Sequence, residues 1–539
     1  MRYLRLVPSA LICASAVIWS PVSAESESVI EEIVVEGRYL SLDKLNAVKT
    51  PTPIIDIPQS LSIVNSEQID KQAFTNIGDI TRFSPGLSIS QGEGHRDAII
   101  IRGNQTTADF FIDGVRDDVQ YFRPLYNLEQ IEILRGANAL LFGRGGGGGV
   151  INRVTKRPQL DEQFVGYAAS IDTFGSYNFS GDVNYAIGDA AAFRLNGFYE
   201  DLQNHRDFFN GERVAVNPTF AIDPSPDTEV IFSYEYVNDD RVIDRGVPSR
   251  DVNGVTNAVP ENPDVPLEGF DNTFFGSPEE NFATLEAHLI RASVDHTFNE
   301  MLRGNFTAQY ADYAKLYQNL FPSEEVIVAN GAPIEVELDG YRDETDRQNL
   351  IFQGNLIGEF STRGLVHTLL LGAEYGDQQT FNARRDNVFA DNGDDQLVIP
   401  FSDPLNIPEF SFSDLSRSRE SQVQFLSVYA QDQVDITDWL KIIVGLRWDR
   451  FDIDVTDFIE ITNGDTDGND GFLSRTDNEL SPRFGVILKP AENISLYGSY
   501  SESFLPRSGD QFLTLTLTNE ALEPQAFENI EIGAKWDIN

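Results

Sequence analysis

Asn178-Phe179-Ser180-Gly181-Asp182-Val183-Asn184-Tyr185-Ala186-Ile187 is the stretch from which the architecture is read. Phe179, Gly181, Val183, Tyr185 and Ile187 fall on one side of an extended chain and Asn178, Ser180, Asp182 and Asn184 on the other, because side chains alternate along a strand. The same rhythm returns in Phe193/Leu195/Gly197/Tyr199, Val230/Phe232/Tyr234/Tyr236, Leu369/Leu371/Ala373/Tyr375, Ile442/Val444/Leu446/Trp448 and Ile494/Leu496/Gly498/Tyr500. Strands with lipid outside and water inside read this way, with aromatics near their ends. Alternation alone also fits a soluble β-sandwich.

Working outward, the connections alternate in length. Ile187-Gly188-Asp189-Ala190 and Thr437-Asp438 are tight turns, whereas 239–281, 317–347, 377–422 and 456–478 are long acidic stretches read as loops. Tight turns on one rim and long loops on the other are the habit of an outer-membrane barrel. About fourteen strand-like segments run from Phe164 onward. After Glu25 no apolar run is long enough for a membrane-spanning helix.

The first residues point to export. Arg2 and Arg5 precede the apolar Leu11–Trp19, and Val22-Ser23-Ala24 offers a cleavage site, so residues 1–24 read as a signal peptide. The single cysteine, Cys13, lies inside it, which excludes a disulfide scaffold and thiol catalysis in the mature chain. Export, absent cysteines and long acidic loops favour the barrel over the sandwich. With 85 acidic against 40 basic residues, net −45, nucleic acid is excluded as a partner because approach to a polyanion begins with repulsion.

Residues 50–158 have a different texture. Asn65-Ser66-Glu67-Gln68 resembles a capping box, 75–83 a short helix closed by Pro85-Gly86, and Glu129-Gln130-Ile131-Glu132-Ile133-Leu134 a strand, which together describe a small α/β domain. The run Gly145 to Gly149 is followed by a strand and no Gly-Lys-[Ser/Thr], so it reads as a tightly packed turn, not a phosphate loop.

Ile57-Pro58-Gln59-Ser60-Leu61-Ser62-Ile63-Val64, Ser84-Pro85-Gly86-Leu87, Ile101-Arg102-Gly103, Phe111-Ile112-Asp113-Gly114-Val115-Arg116, Tyr126 to Gly136 and Leu141-Phe142-Gly143-Arg144-Gly145 occur in one order. This series resembles the plug domain of TonB-dependent ferric-siderophore receptors, and its wording is most similar to receptors for catecholate-type siderophores. Tyr429-Ala430-Gln431-Asp432, Leu480 to Gly485 and Leu522-Glu523-Pro524-Gln525 extend the likeness into the barrel.

The resemblance implies a membrane β-barrel of about 22 strands closed by an N-terminal α/β plug in its lumen. It divides the chain into 1–24 signal peptide, 25–49 periplasmic tail, 50–158 plug and 159–539 barrel. It further implies a monomer in the outer membrane of a Gram-negative bacterium, set in outer-membrane lipid and driven by TonB of the TonB-ExbB-ExbD complex. Iron would arrive chelated by the siderophore, so no resident cofactor and no protein metal site are expected. Against about 22 strands the chain reaches Asn539 after about fourteen, which reads as a fragment or a truncated gene, with transport a property of the full-length parent.

Site residues follow from motif order. Glu32, Ile33, Val34 and Val35 resemble the TonB box, an extended β-branched segment suited to strand addition. Ligand contacts are expected from plug loops on the extracellular side: Gly92, His95 and Arg96, then Gln105, then Tyr121, Phe122 and Arg123, whose aromatic faces and cation suit a bulky chelate. The competing reading of Tyr121 and Phe122 is packing of plug against barrel, and that of Arg96 is a pair with Glu93 or Asp97. Arg102, Arg135, Arg144 and Arg153 are assigned to plug–barrel docking against lumen carboxylates such as Glu374 and Glu531, with Arg144 at the plug's far end. Asp465 to Asp470 departs from a calcium loop and reads as a solvated loop. No catalytic residues are assigned, since the five His converge with no Ser/Asp set. The other cargo classes are cobalamin, haem, a glycan or another metal chelate; an outer-membrane barrel enzyme is the remaining alternative.

Overall fold

The computed structural model describes residues 45–538 except 91, 146, 251–264, 330–331, 465–468 and 510. The signal peptide, the TonB-box residues Glu32, Ile33, Val34 and Val35, and most of the acidic run after Asp465 lie outside the described residues.

The N-terminal unit is the α/β plug. It contains β1 (Leu61–Asn65), α1 (Ser66–Gln72), α2 (Ile77–Thr81), β2 (Leu87–Ile89), β3 (Ile99–Ile101), β4 (Asn104–Thr106), β5 (Phe110–Ile112), β6 (Val115–Arg116), β7 (Leu128–Arg135), α3 (Ala139–Phe142) and β8 (Gly149–Thr155). Strands order β1-β7-β8-β5-β6 in one sheet and β2-β3-β4 in another. Asn65 caps α1 by accepting the Gln68 N–H; the reciprocal capping box forms one helix later, between Asn76 and Asp79. Ile131 and Ile133 of β7 pack with Ile69, Ile77, Ile99, Phe110 and Ile151. The glycine run turns where side chains have no room: a Cβ on Gly148 would lie 2.5 Å from the Ile101 carbonyl.

The wall is one antiparallel sheet. Its path is β9 (Phe164–Ile171), β10 (Tyr177–Ala186), β11 (Ala191–Gln203), β12 (Asn210–Ser225), β13 (Thr228–Val242), β16 (Phe282–Asn299), β17 (Leu302–Pro322), β19 (Ala332–Thr362), β20 (Leu365–Phe389), β22 (Phe410–Thr437), β23 (Leu440–Asp457), β24 (Phe472–Ala491), β25 (Ile494–Leu505) and β26 (Gln525–Trp536). Two short strands, β18 (Ile327–Ala329) and β21 (Leu397–Pro400), add to β19, and β14 (Ser249–Arg250) pairs β15 (Val265–Pro266) in a loop. Phe179, Phe232, Leu371, Val444 and Leu496 are exposed on the outer face, while Asn184, Arg194 and Asn196 are buried on the lumen side. Among the described residues β9 and β26 are the free ends of the path, and the plug exposes Phe83 and Ile89.

The long acidic stretches are only partly loops. β17 and β19 stay in register from Leu302↔Gly358 to Pro322↔Leu338, so nearly all of 317–347 is paired strand. The acidic residues there alternate with Leu320, Val336 and Leu338, which share an apolar cluster with Leu267, Phe275, Phe389, Ile399 and Phe401. Composition suggested a solvated loop; cross-strand pairing and this cluster make a rigid projection instead.

At the rim of tight turns the chain entering the plug is buried. Glu132 accepts the backbone N–H of Asn46 (2.7 Å) and Ala47 (2.9 Å), and the Lys49 ammonium donates to Tyr429 Oη at 3.0 Å. Asp56 pairs with Lys489 (2.8 Å) and Lys441 (3.0 Å) beside the turn after Thr437. Burial lowers the Lys49 pKa from 10.5 to about 7, against the attraction of Glu374. A released lysine then binds a proton that the seated one does not, between about 7 and 10.5, so the seat gains stability as pH rises through that window and carries the full burial penalty below it. Limited proteolysis of this segment is expected to slow from about pH 6 to about pH 9.5, and Lys49→Met to lose that dependence.

Candidate functional site

The two rims differ in what the plug offers them. Toward the long connections, the plug loops 92–97, 105–107 and 119–120 meet β17, β19, β20, β22 and the 506–524 connection around a cavity of about 410 Å³. Glu93, Arg96, Gln105, Lys315, Tyr317, Asp343, Arg384, Arg417 and Gln511 line it. That is four cations against two carboxylates in a chain of net charge −45. Arg384 Nε lies 2.8 Å and Arg417 Nη1 3.8 Å from Asp343 Oδ2, so one carboxylate serves both. Lys315 is buried, and among the described residues no carboxylate forms an ion pair with it; its ammonium sits 5.2 Å from the Tyr317 ring centroid. Tyr317 packs edge-on to Tyr341, and the Arg384 guanidinium lies 4.0 Å from the Tyr341 ring centroid. Aromatic faces beside uncompensated cations suit an anionic, ring-bearing guest.

The first expected ligand loop reaches this cavity. Arg96 and Gln105 line it, and Arg96 Nη1 donates to Glu93 Oε2 at 2.7 Å. His95 is buried, its ring stacked on Tyr317 with centroids 4.0 Å apart. Gly92 is also buried and begins a turn in which Gly92, Glu93 and Gly94 all have positive φ (61°, 52° and 76°). Only glycine suits position 94, where a Cβ would lie 2.8 Å from the Asp244 carbonyl. Burial pushes the Glu93 carboxyl up, but hydrogen bonds from His95 and Arg96 and the charges of Arg96 and Arg245 outweigh it and hold it well below the usual carboxylate range. Burial and the nearby Lys315 charge lower His95, so its ring is neutral.

Tyr121, Phe122 and Arg123 are placed differently from the expectation. Arg123 is 0% exposed: its Nε donates to Asp117 Oδ2 at 3.0 Å, its backbone N–H to Asp97 Oδ2 at 3.0 Å, and its guanidinium lies 3.9 Å from the Phe110 ring centroid. Tyr121 is 2% exposed, donates to Asp117 Oδ2 at 2.8 Å, and packs with Leu285, Ala287 and Tyr313 of the wall. Tyr121 therefore follows the packing reading. Phe122 is half-buried under the Arg241 guanidinium, at a narrow cleft beside His95 and Asp239. Aromatic and cationic composition named a ligand loop; the backbone turns these groups inward because Asp97 and Asp117 wait there. Burial raises Asp117, but Arg123 and Arg153 outweigh it and keep it ionised; for Asp97 burial wins and its pKa rises.

The docking assignments divide. Arg102 reaches Glu531 of β26 at 3.1 Å, a contact between plug and wall with one of the carboxylates named as examples. Arg144 also docks, donating to Gln378 of the wall at 2.9 Å and to Asp118 at 2.8 Å, but on the long-loop side, stacked 4.8 Å from Phe512, and not at the plug's far end. Arg135 bonds to the Pro85 carbonyl and Ser62 Oγ, and Arg153 to Asp117, all within the plug, because β7 and β8 are interior strands of its sheet. Glu374 is taken by the wall's own Arg447 at 3.1 Å.

Missing from the sequence reading were Lys315, Tyr317, Asp343, Arg384 and Arg417. Three lie in stretches read as acidic loops, and Lys315 and Tyr317 sit at the edge of one. Isolated cations inside acidic stretches were the available signal, and pairing of β17, β19, β20 and β22 is what gathers them.

A barrel sheet around an α/β plug, with a cavity between plug loops and the long-loop rim, is a plugged-barrel architecture. Residues 53–150 match the family model for the TonB-dependent Receptor Plug Domain, and residues 215–539 that for the TonB dependent receptor-like beta-barrel. The chain belongs to the TonB-dependent receptor family. It is 26% identical over 528 residues to the probable TonB-dependent siderophore receptor PiuA of Acinetobacter baumannii, covering 93% of this chain and 69% of that protein. It is 26% identical over 552 residues to the metal-pseudopaline receptor CntO of Pseudomonas aeruginosa, covering 98% and 72%. The crystal structure of PiuA superposes with a TM-score of 0.81 at 23% identity, covering 93% of this chain and 73% of that one. The closed form of the ferric-catecholate import receptor Fiu from Escherichia coli K12 gives 0.78 at 21%, covering 92% and 73%. These relatives are receptors, not enzymes.

Proposed function

We propose that this protein is an outer-membrane receptor of a Gram-negative bacterium that imports an anionic ferric siderophore of the catecholate type, driven by TonB of the TonB-ExbB-ExbD complex. The observation that carries the cargo class is the cavity's charge: Arg96, Lys315, Arg384 and Arg417 against Glu93 and Asp343, with Lys315 in no ion pair among the described residues. A trianionic tris-catecholate gains from such a pocket what a neutral trihydroxamate does not. Iron travels as part of the cargo, held by the siderophore, and the protein supplies no cofactor and no catalytic group. The chain acts as a monomer in outer-membrane lipid.

Binding of ferric tris-catecholate and ferric trihydroxamate to the folded receptor, followed by fluorescence quenching, tests the reading. Preference for the trianion that shrinks with added salt is the expected result. Preference for a neutral chelate, for a metal–amino-carboxylate complex or for cobalamin moves the cargo to another class.

Glu32, Ile33, Val34 and Val35 are proposed as the TonB contact. Ile33→Pro removes a backbone donor needed for strand pairing, so uptake of radiolabelled ferric chelate should cease while binding is unchanged. Uptake equal to wild type would assign the contact elsewhere.

A further inference from the structure

We propose that Glu93 is a built-in counter-ion of the cavity, a stand-in for the anionic cargo that the cargo displaces. The proposal rests on the cargo reading above. A single oxygen, Glu93 Oε2, collects Arg96 Nη1 at 2.7 Å, Tyr317 Oη at 3.2 Å, His95 Nε2 at 3.5 Å and Arg245 Nη2 at 3.8 Å. Donors from the plug loop, from β17 and from the connection after β13 thus converge on one carboxylate that borders the cavity and stays 28% exposed.

The backbone that presents it is unfavourable. Glu93 has φ 52° and ψ 22°, a left-handed conformation that a side chain larger than asparagine adopts only when its surroundings impose it. Glycines on both sides also lie left-handed, and Gly94 is wedged against Asp244. The partners of the Glu93 carboxylate hold this turn together with the His95 N–H, which donates to the Gly92 carbonyl at 3.2 Å. An anionic chelate that engages Arg96 and Arg245 removes those partners, and the turn loses that hold. Its other end is tied to the buried plug network, since Asp97 accepts from the Arg123 backbone at 3.0 Å and donates its own N–H to the Tyr121 carbonyl at 3.2 Å. Displacement of Glu93 therefore acts on Asp97 and on the Arg123–Asp117–Arg153 cluster beneath it.

Glu93 sets selectivity by competition. An uncharged guest cannot match the carboxylate it would have to replace, whereas a polyanion can.

The test compares wild type, Glu93→Gln and Glu93→Gly in the folded receptor, with ferric tris-catecholate and ferric trihydroxamate as probes. Glu93→Gln keeps the shape and removes the competing charge. Glu93→Gly also relieves the left-handed backbone, so it answers if the glutamine variant misfolds. Both should bind the trianion at least about fivefold more tightly, with the neutral chelate changed by less than about twofold. Unchanged or weaker binding of the trianion in folded variants, with wild type still preferring it, overturns the role of Glu93 alone, as does equal tightening for both chelates. Wild type that binds neither chelate, or prefers the neutral one, overturns the cargo reading and this proposal with it.

Discussion

Arg123→Ala is expected to destabilise the plug by about 3–5 kcal/mol, the cost of breaking a buried ion pair from one side. Arg123 is fully buried between Asp97 and Asp117, and its guanidinium also covers the Phe110 ring. Among the described residues, truncation leaves Asp97 with no ion-pair partner and Asp117 with Arg153 as its remaining cation. Two buried carboxylates must then protonate or admit water, and the turn joining residues 117–123 loses the guanidinium bonds to the Asp117 and Val119 carbonyls. Denaturant unfolding followed by protease accessibility of the plug reads this directly. Arg123→Lys should recover only part of the loss, because an ammonium cannot reproduce the planar fork over Phe110. Stability within about 0.5 kcal/mol of wild type, with loss of ligand affinity instead, would return Arg123 to the ligand site.

The second large effect belongs to Lys315. Lys315→Glu replaces a cation that forms no ion pair among the described residues by a carboxylate facing Glu93 and Asp343, and should weaken ferric tris-catecholate binding by about 1–3 kcal/mol or more. Lys315→Met should cost less than Lys315→Glu, because it sets no negative charge against the guest. Barrel assembly is expected to survive both, since among the described residues no salt bridge depends on Lys315. Heat-modifiable migration checks assembly, and fluorescence quenching at two ionic strengths checks affinity. Affinity for the trianion unchanged in Lys315→Glu would remove this cavity as the cargo site.

How the fold and site could be read differs from segment to segment. Residues 178–187 alternate because each strand faces two solvents, and the wall shows the same alternation, Phe179 and Tyr185 out and Asn184 in. The strand through Ile131 and Ile133 was legible for a local reason too: its periodicity needs no partner to be seen. That Arg102 is a docking residue could be read from motif order, but its pairing with Glu531 could not, because which charges meet across plug and wall is set by the fold. Arg96 and Gln105, placed in extracellular plug loops by motif order, do line the cavity.

By itself the sequence determined which residues alternate and that a small α/β unit precedes a long β one, since each of these is a property of neighbours along the chain. The direction in which Tyr121 and Arg123 point was decided only in three dimensions, by Asp97 and Asp117, residues whose proximity no local pattern encodes. The cavity is likewise a product of the tertiary structure. Its cations come from a plug loop and from β17, β20 and β22, scattered along the chain from position 96 to position 417, and an antiparallel register is what brings those of the wall within reach of one guest. Burial then sets their chemistry: Lys315 and Glu93 matter because water is scarce around them, and desolvation is a property of the folded wall and plug together.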